Sequence, residues 1–440
     1  MKEPRLTRRQ VLALGGGLLA AQALGQGQPP KLIRIGVVVP TRTGSLEQPV
    51  SSSAHAIGGE IARMGAVMAG EEVGENAELL GTRVKVLLAS APSPEAAARA
   101  AQRLVATEGV FALVGGIGPG QAEAIAKVAQ ERRVLFFNIG NASDALRRAC
   151  NRLTFHVEAS AAMYLDALAD WFVRANFRRW FLVHTRDAGG QALLARARKA
   201  LEVRHWGANV AGTAAVAAGQ PDFSKELEAI GRARADVVVL LLGGEDQMTF
   251  LGQYETSGLR AQVTGFPDPL TQTRDYFYAL LRVAPRSAAG YRPLLWEPTL
   301  DNYGARELNA RFQQRWGQPM DSPGWAAYQS VKMLYESAFF ARSLEAGRLV
   351  PYLERPQTVF DVHKGIGVSF RPWDHQLRQP FYLVKIKAEP NPGFELSKRV
   401  GLASLVGEAP AIVKPGTDPV ERLDQLGDGP RDFNCRFGGR

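Results

Sequence analysis

The 440-residue chain is long enough for two cored domains, and its 46% hydrophobic and 22% charged content excludes wholesale disorder. A formal net charge of +10 first suggests nucleic acid, but Lys2, Arg5, Arg8 and Arg9 against Glu3 hold +3 of it near the N-terminus. The rest is spread without a basic helix or an aromatic-interleaved stripe, which argues against a nucleic-acid binder and leaves only a weakly basic surface.

In chain order, Thr7-Arg8-Arg9-Gln10-Val11-Leu12 opens a mildly apolar run to Leu24, with small residues at Ala21-Gln22-Ala23. Paired arginines before a glycine-softened stretch resemble a twin-arginine export signal over residues 1–23; an ordinary export signal with two chance arginines is the alternative. The run is too short to span a bilayer core of about 30 Å. Either way the mature protein is expected in the periplasm, cleaved near Ala23. Cys150 and Cys435 would then meet an oxidising compartment, where two thiols tend to pair. The expectation is a disulfide stapling the C-terminal tail to the first domain, with two separately buried thiols as the alternative.

From Lys31 short β-branched runs alternate with helical patterns, which predicts an α/β fold with parallel sheets. Strands are expected at 32–39, 84–88, 110–114 and 134–137. Between them Ile57, Ile61, Met64 and Val67 recur at helical spacing, Ser93 caps a helix beginning at Pro94, and Ile125, Val128 and Ala129 mark a third helix. The same grammar restarts near Glu158. Strands are expected at 180–183, 209–213, 237–242 and 261–264, with helices at 163–172, 193–201, around Leu227 and Ile230, and at 246–254. After Arg286 the pattern changes to helices through Leu308 and Phe312 and through Tyr328 to Ala338. Strand-like pieces follow at 368–370 and 381–386, and residues 390–440 read as a tail draped on the surface.

The order of landmarks carries a resemblance. Ile35-Gly36-Val37-Val38-Val39-Pro40, Leu80-Gly81-Thr82-Arg83-Val84, Asp222-Phe223-Ser224 and Gly367-Val368-Ser369-Phe370 before Asp374-His375-Gln376 and Pro380-Phe381-Tyr382 resemble the type 1 periplasmic binding proteins of branched-chain amino-acid transporters. Trp296-Glu297-Pro298, Trp325-Ala326-Ala327-Tyr328 and Phe370 through Pro380 resemble the branch associated with PQQ-dependent alcohol dehydrogenase systems. The resemblance implies two Rossmann-like lobes with parallel central sheets joined by a three-strand hinge. Lobe one would comprise 31–157 and 286–364, and lobe two 158–285 and 365–389, with crossings near Val157, Arg286 and Gly365. It further implies a monomer that closes over a small ligand and delivers it to an ABC transporter permease.

In open α/β sheets ligands bind at the carboxyl ends of strands. In lobe one this selects the loops at 41–45 (Thr41, Thr43), 116–121 (Gly116, Ile117, Gly118, Gly120) and 138–143 (Asn138, Gly140, Asn141). In lobe two it selects 184–187 (Arg186), 243–246 (Gly244, Glu245) and 266–268 (Asp268). The glycines would let backbone approach a ligand, or serve only a tight strand-to-helix turn. Gly115 to Gly120 has P-loop spacing, but Gln121-Ala122 replaces the Lys and Ser/Thr that a phosphate and Mg²⁺ require, so no nucleotide cofactor is expected. Gly118-Pro119-Gly120 lacks the hydroxyls with which amino-acid binders hold a carboxylate. An amino acid, an amide, a short acid and an alcohol-derived metabolite therefore all stay open as small polar ligands. Asp268, taken as a loop-tip charge, should be replaceable by Ala with the fold intact and binding weakened. The six histidines show no metal spacing, with His184 the one best placed for a ligand and a structural role the favoured reading. Trp296, Trp325 and Trp373 read as packing aromatics. No hydrolase motif occurs, so an exported enzyme is the weaker alternative, beside a periplasmic accessory or sensor of a quinoprotein dehydrogenase system.

Overall fold

The computed structural model describes residues 28–41, 55–204, 207–302, 304–388, 395–411, 416–435 and 437. The export-signal expectation at 1–23 and Thr43 lie outside the described residues.

The first unit comprises β1 (Leu32–Val39), α1 (His55–Leu79), β2 (Arg83–Ser90), α2 (Pro94–Ala106), β3 (Ala112–Gly115), α3 (Gln121–Arg132), β4 (Leu135–Asn138), α4 (Asp144–Arg148) and β5 (Thr154–His156). Its strands form one parallel sheet in the order β2-β1-β3-β4-β5. β3 and β4 are buried at every residue, as central parallel strands covered on both faces must be, whereas edge strand β2 is buried only at Ala89. Ser93 caps α2, its Oγ accepting from the Ala96 N–H at 3.2 Å.

The second unit repeats the plan with α5 (Ala161–Arg174), β6 (Arg179–Thr185), α6 (Ala188–Lys199), β7 (Asn209–Val216), α7 (Ser224–Ala233), β8 (Val237–Leu241), α8 (Gly244–Tyr254), β9 (Gln262–Gly265) and α9 (Arg274–Val283). Its parallel sheet runs β7-β6-β8-β9. The remaining elements are β10 (Tyr291–Leu294), α10 (Ala305–Trp316), α11 (Ser322–Phe340), α12 (Ala346–Leu353), β11 (Phe360–Asp361), β12 (Gly367–Val368), β13 (Phe381–Ile386), β14 (Ala403–Ala409) and α13 (Pro419–Leu423). α11 returns to lobe one and packs on α1 so closely that a Cβ at Gly65 would run into the Gly324 carbonyl oxygen. The architecture is thus two α/β lobes with parallel central sheets.

Two boundaries differ from the sequence reading. β10 pairs antiparallel with β13, and Leu294 and Val384 sit in the lobe-two core, so the chain rejoins lobe one at Leu295–Trp296 rather than near Arg286. Gly365 lies in the tight turn between β11 and β12. Gln376 and Leu377 still pair beside His156 at the end of the lobe-one sheet, whereas Phe381 opens the strand that pairs with β10, so the last crossing falls between Leu377 and Phe381. The tail is not merely draped: β14 adds a third strand beside β13, and Leu423, Leu426 and Phe437 are buried. Cys150 and Cys435 are joined in a disulfide, Cα atoms 5.3 Å apart.

The crossings are bound to one another by buried polar groups. The Gln376 side chain donates to the His156 and Glu158 carbonyls at 3.1 and 3.0 Å, and that of Gln379 donates to the Val157 carbonyl at 2.7 Å. Tyr164 donates its hydroxyl to Glu158 Oε1 at 2.6 Å, and Gln272 ties Tyr164 to the Leu295 N–H. Burial pushes the Glu158 carboxyl up to about 7, against the pull of the Tyr164 hydroxyl and Arg147. The folded state therefore keeps a proton that the unfolded chain has lost, and this group's contribution to stability falls as pH rises from about 4.5 through about 7. Glu158→Gln should gain on the wild type by up to about 3 kcal/mol between pH 4.5 and 8. Urea midpoints at the two pH values check this, and a difference that does not change with pH contradicts it.

Candidate functional site

The carboxyl ends of both parallel sheets face a cavity of about 770 Å³ between the lobes. Lobe one contributes His55 at the start of α1, Gly118 and Pro119 after β3, and Gly140 to Ala145 after β4. Lobe two contributes the loop from Phe266 to Pro269 after β9, Gly243 after β8, and one face of α6. On that face Ala188, Ala192, Ala195 and Lys199 recur at helical spacing, with Leu193 and Arg196 beside them. The small side chains of α6 leave the space, and Pro119, Ala142, Ala161, Leu193, Phe266 and Pro267 make its walls largely apolar.

The lobe-one loops are shaped by their own polar groups. Asn138 is fully buried; its Oδ1 accepts from the Gly140 and Asn141 N–H groups at 3.2 and 2.9 Å, and its Nδ2 donates to the Asn141 carbonyl at 2.7 Å. Asn141 Oδ1 accepts from the Ser143 N–H at 2.7 Å, and its Nδ2 donates to Glu123. Gly140 allows the loops after β3 and β4 to touch: a Cβ there would stand 2.7 Å from Ile117 and 2.8 Å from the Gly116 carbonyl oxygen. Beneath them lies Arg147, 1% exposed, whose guanidinium donates to the carbonyls of Asn141, Ser143 and Glu158 and to Gln376 Oε1 at 2.7–3.0 Å.

On the opposite wall Asp268 Oδ1 accepts from the Leu270 and Thr271 N–H groups at 2.8 Å each, and Oδ2 accepts from Gly244 at 3.3 Å. Burial raises its carboxyl, while these donors and the facing His55 pull it down. Among the described residues His55 Nδ1, which is buried, has no hydrogen-bond partner. The two lobes meet directly here: a Cβ on Gly58 would lie 3.3 Å from the Pro269 carbonyl oxygen.

Gly118, Gly140, Asn141 and Asp268 line the cavity. Gly116, Ile117 and Asn138 lie buried behind it, and Gly120 caps α3. Thr41 is turned to Ser90, to which its hydroxyl donates at 2.6 Å. Arg186 is exposed and bonded to the Ala215 carbonyl, Glu245 is exposed, and Gly244 is spent on Asp268 and Tyr276; none of these lines the cavity. Asp268 is no free loop tip, since replacing it by Ala removes the acceptor for three backbone donors as well as a charge. His184 is buried with its Nδ1 2.8 Å from the Thr185 carbonyl, and the cavity histidine is His55. Sequence reasoning also missed Arg148, Arg196 and Lys199; the small-residue stripe of α6 is the signal that could have found two of them. Trp296 and Trp325 are fully buried and stacked, and Trp373 is half-buried against Arg371 and Arg378. Among the described residues no group of three or more His, Cys, Asp or Glu could hold a metal, and no helix is long and apolar enough to cross a membrane.

Among curated proteins none matches the sequence. Solved structures share the fold. A periplasmic binding protein from Burkholderia mallei is 18% identical, with a TM-score of 0.72 over 92% of this chain and 99% of that one. A branched chain amino acid ABC transporter periplasmic ligand-binding protein from Burkholderia xenovorans is 20% identical, with a TM-score of 0.72 over 86% and 95%. A solute-binding protein of an ABC transporter from R. palustris, in complex with benzoate, is 17% identical, with a TM-score of 0.65 over 87% and 98%. The pattern of the periplasmic binding protein family matches residues 33–391, most of the chain, and the chain belongs to that family.

Proposed function

We propose that the protein captures a small amphipathic solute in the periplasm, between its two lobes, and hands it as a monomer to an ABC transporter permease. The observation that carries this reading is the cavity itself, placed where the carboxyl ends of two parallel sheets converge and where Gly58 and Pro269 bring the lobes together on one side. Its apolar walls suit a hydrocarbon or aromatic body, and His55 and Asp268, together at one end, suit a single polar head. No constellation of nucleophile and base is part of the proposal.

The lining moves the weight from a wholly polar ligand toward one with an apolar body. The B. xenovorans protein's name and the benzoate held by the R. palustris protein support including branched-chain amino acids and aromatic acids among the candidates. The likeness of the C-terminal third to the alcohol dehydrogenase-associated branch adds alcohol-derived aldehydes and acids. The test is a thermal-shift panel of these classes, with amides, on mature protein refolded to strip any resident ligand. A ligand at about a hundred times its Kd stabilises by roughly 2.7 kcal/mol, so one class should raise Tm by several degrees. Ala192→Trp, which fills the cavity from α6, should abolish that shift. Silence across the panel, or a shift that survives Ala192→Trp, would falsify the assignment of this cavity.

A further inference from the structure

The family pattern ends at residue 391, and the described residues beyond it touch both lobes. We propose that residues 416–435, with Phe437, form a strap that ties lobe one to lobe two at the rim of the cavity and sets how readily the lobes part.

The strap begins on lobe one. Leu423 and Leu426 are buried in the core cluster that lobe one shares with α5, and Asp424 accepts from Arg371 and Arg378 of lobe one at 2.8 and 2.9 Å. It then turns at Gly427, with φ of +88°, where a Cβ would stand 2.6 Å from the Met163 side chain, so only glycine fits. The Gly427 N–H donates to Asp166 on α5 at 2.9 Å. Asp428 follows, 4% exposed, and is gripped from both lobes. Arg148 of lobe one lies 2.8 Å from it, and Arg196 and Lys199 of lobe-two helix α6 lie at 3.2 Å each. Asp432 adds a second bond to Lys199 at 2.9 Å. The segment finally returns to lobe one, where Cys435 is bonded to Cys150 and the Phe437 ring stacks on His375 at 4.1 Å.

The charges explain why such a strap controls closure. Arg148, Arg196 and Lys199 are cavity-lining cations carried by opposite lobes, so closing the lobes brings like charges together. Asp428 between them turns that repulsion into attraction. The half-exposed arms, Arg148 and Lys199, contribute little each, but Asp428 is almost fully buried against equally buried Arg196, which Asp166 of α5 also holds at 2.7 Å, and Asp428 cannot leave that cation without its own charge going unmet. Lobe-one anchors on both sides of Asp428, the disulfide at one of them, keep it at high local concentration over the rim. Part of the closing free energy is therefore built into the chain and does not wait for a ligand. This rests on the reading that the lobes open and close, but not on which solute they hold.

The test is amide hydrogen exchange on the ligand-free, oxidised mature chain, comparing wild type with Asp428→Asn. The strap predicts about tenfold faster exchange in 416–435 and, away from it, at 57–62 of α1, where Gly58 meets Pro269 of the other lobe. Exchange within β3 and β8 should stay unchanged, which separates opening from unfolding. Faster exchange confined to the strap, or none at either place, overturns the proposal. Arg148→Gln removes only the half-exposed lobe-one arm and should act in the same direction. If Asp428→Asn does not fold, the double variant Arg148→Gln/Lys199→Gln, which removes one arm from each lobe, decides the matter by the same two readings. Because no ligand is present, a silent ligand panel and a failed strap give different results.

Discussion

Arg147→Ala should lower the unfolding free energy by about 3–5 kcal/mol, as removal of one member of a buried charged network does. The guanidinium has no route to solvent at 1% exposure, and burial lowers its pKa, while Asp144, Asp374 and Glu158 hold its charge in place. Its donors are divided among three carbonyls and one side-chain amide drawn from the loop after β4, the first crossing and the last crossing. Truncation leaves all four acceptors without that donor and opens a hole beneath the cavity loops. Arg147→Lys should recover little, because an ammonium on a flexible stem cannot reproduce the planar fork. Denaturant midpoints measure both. A loss below about 0.5 kcal/mol, the scale of a surface substitution, would mean that this network does not organise the hinge.

Trp325→Ala is expected to cost about 3–5 kcal/mol, the range for emptying a large aromatic site. Trp325 is fully buried on α11 and stacks on Trp296 with ring centres 5.8 Å apart and planes 10° from parallel. Its indole N–H donates to the Val362 carbonyl at 3.0 Å, and its face receives the Lys364 ammonium at 4.1 Å. Lys364 is itself buried, bonded to Gln379 and the Pro380 carbonyl, and burial holds its pKa well below the ordinary lysine value. Removing the ring thus takes away packing and one support of a buried cation near the last crossing. Trp325→Phe keeps a π-face and should lose clearly less. Equal losses for the two variants would sink the packing account, leaving the N–H bond as the whole effect.

The parts of the fold that were legible are those whose chemistry is local. Central parallel strands must be apolar on both faces, so runs such as Val237 to Leu241 announce themselves without knowledge of their neighbours. β14 did not: Ala403–Ala409 mixes Gly407 and Glu408 with half-exposed residues, and only pairing with β13 makes it a strand. Short α4 and β5 lack the length for a period to show. β10 carries Arg292 and Pro293, which read as a loop until Arg292 is seen to donate to buried Gln247.

At the candidate site, the rule that ligands gather at strand carboxyl ends leads to Gly118, Gly140, Asn141 and Asp268, which line the cavity. It pointed elsewhere wherever a polar group had already been claimed, as with the Asn138 side chain and the Gly244 backbone, because such bonds depend on geometry invisible to residue type. It also missed the rim. Charged residues such as Arg148, Arg196 and Lys199 read as solvated surface, and nothing in the spacing of Asp428 shows that it lands among them across 229 residues or more.

The disulfide has a topological consequence. It joins residues 285 positions apart and so closes a covalent ring that contains the whole second unit and the return helices of the first. Cys435 follows every strand and helix of both lobes, so the ring can shut only after both lobes have been synthesised. Once shut, a single cut by a protease between Cys150 and Cys435 leaves the two fragments attached to one another until the sulfurs are reduced.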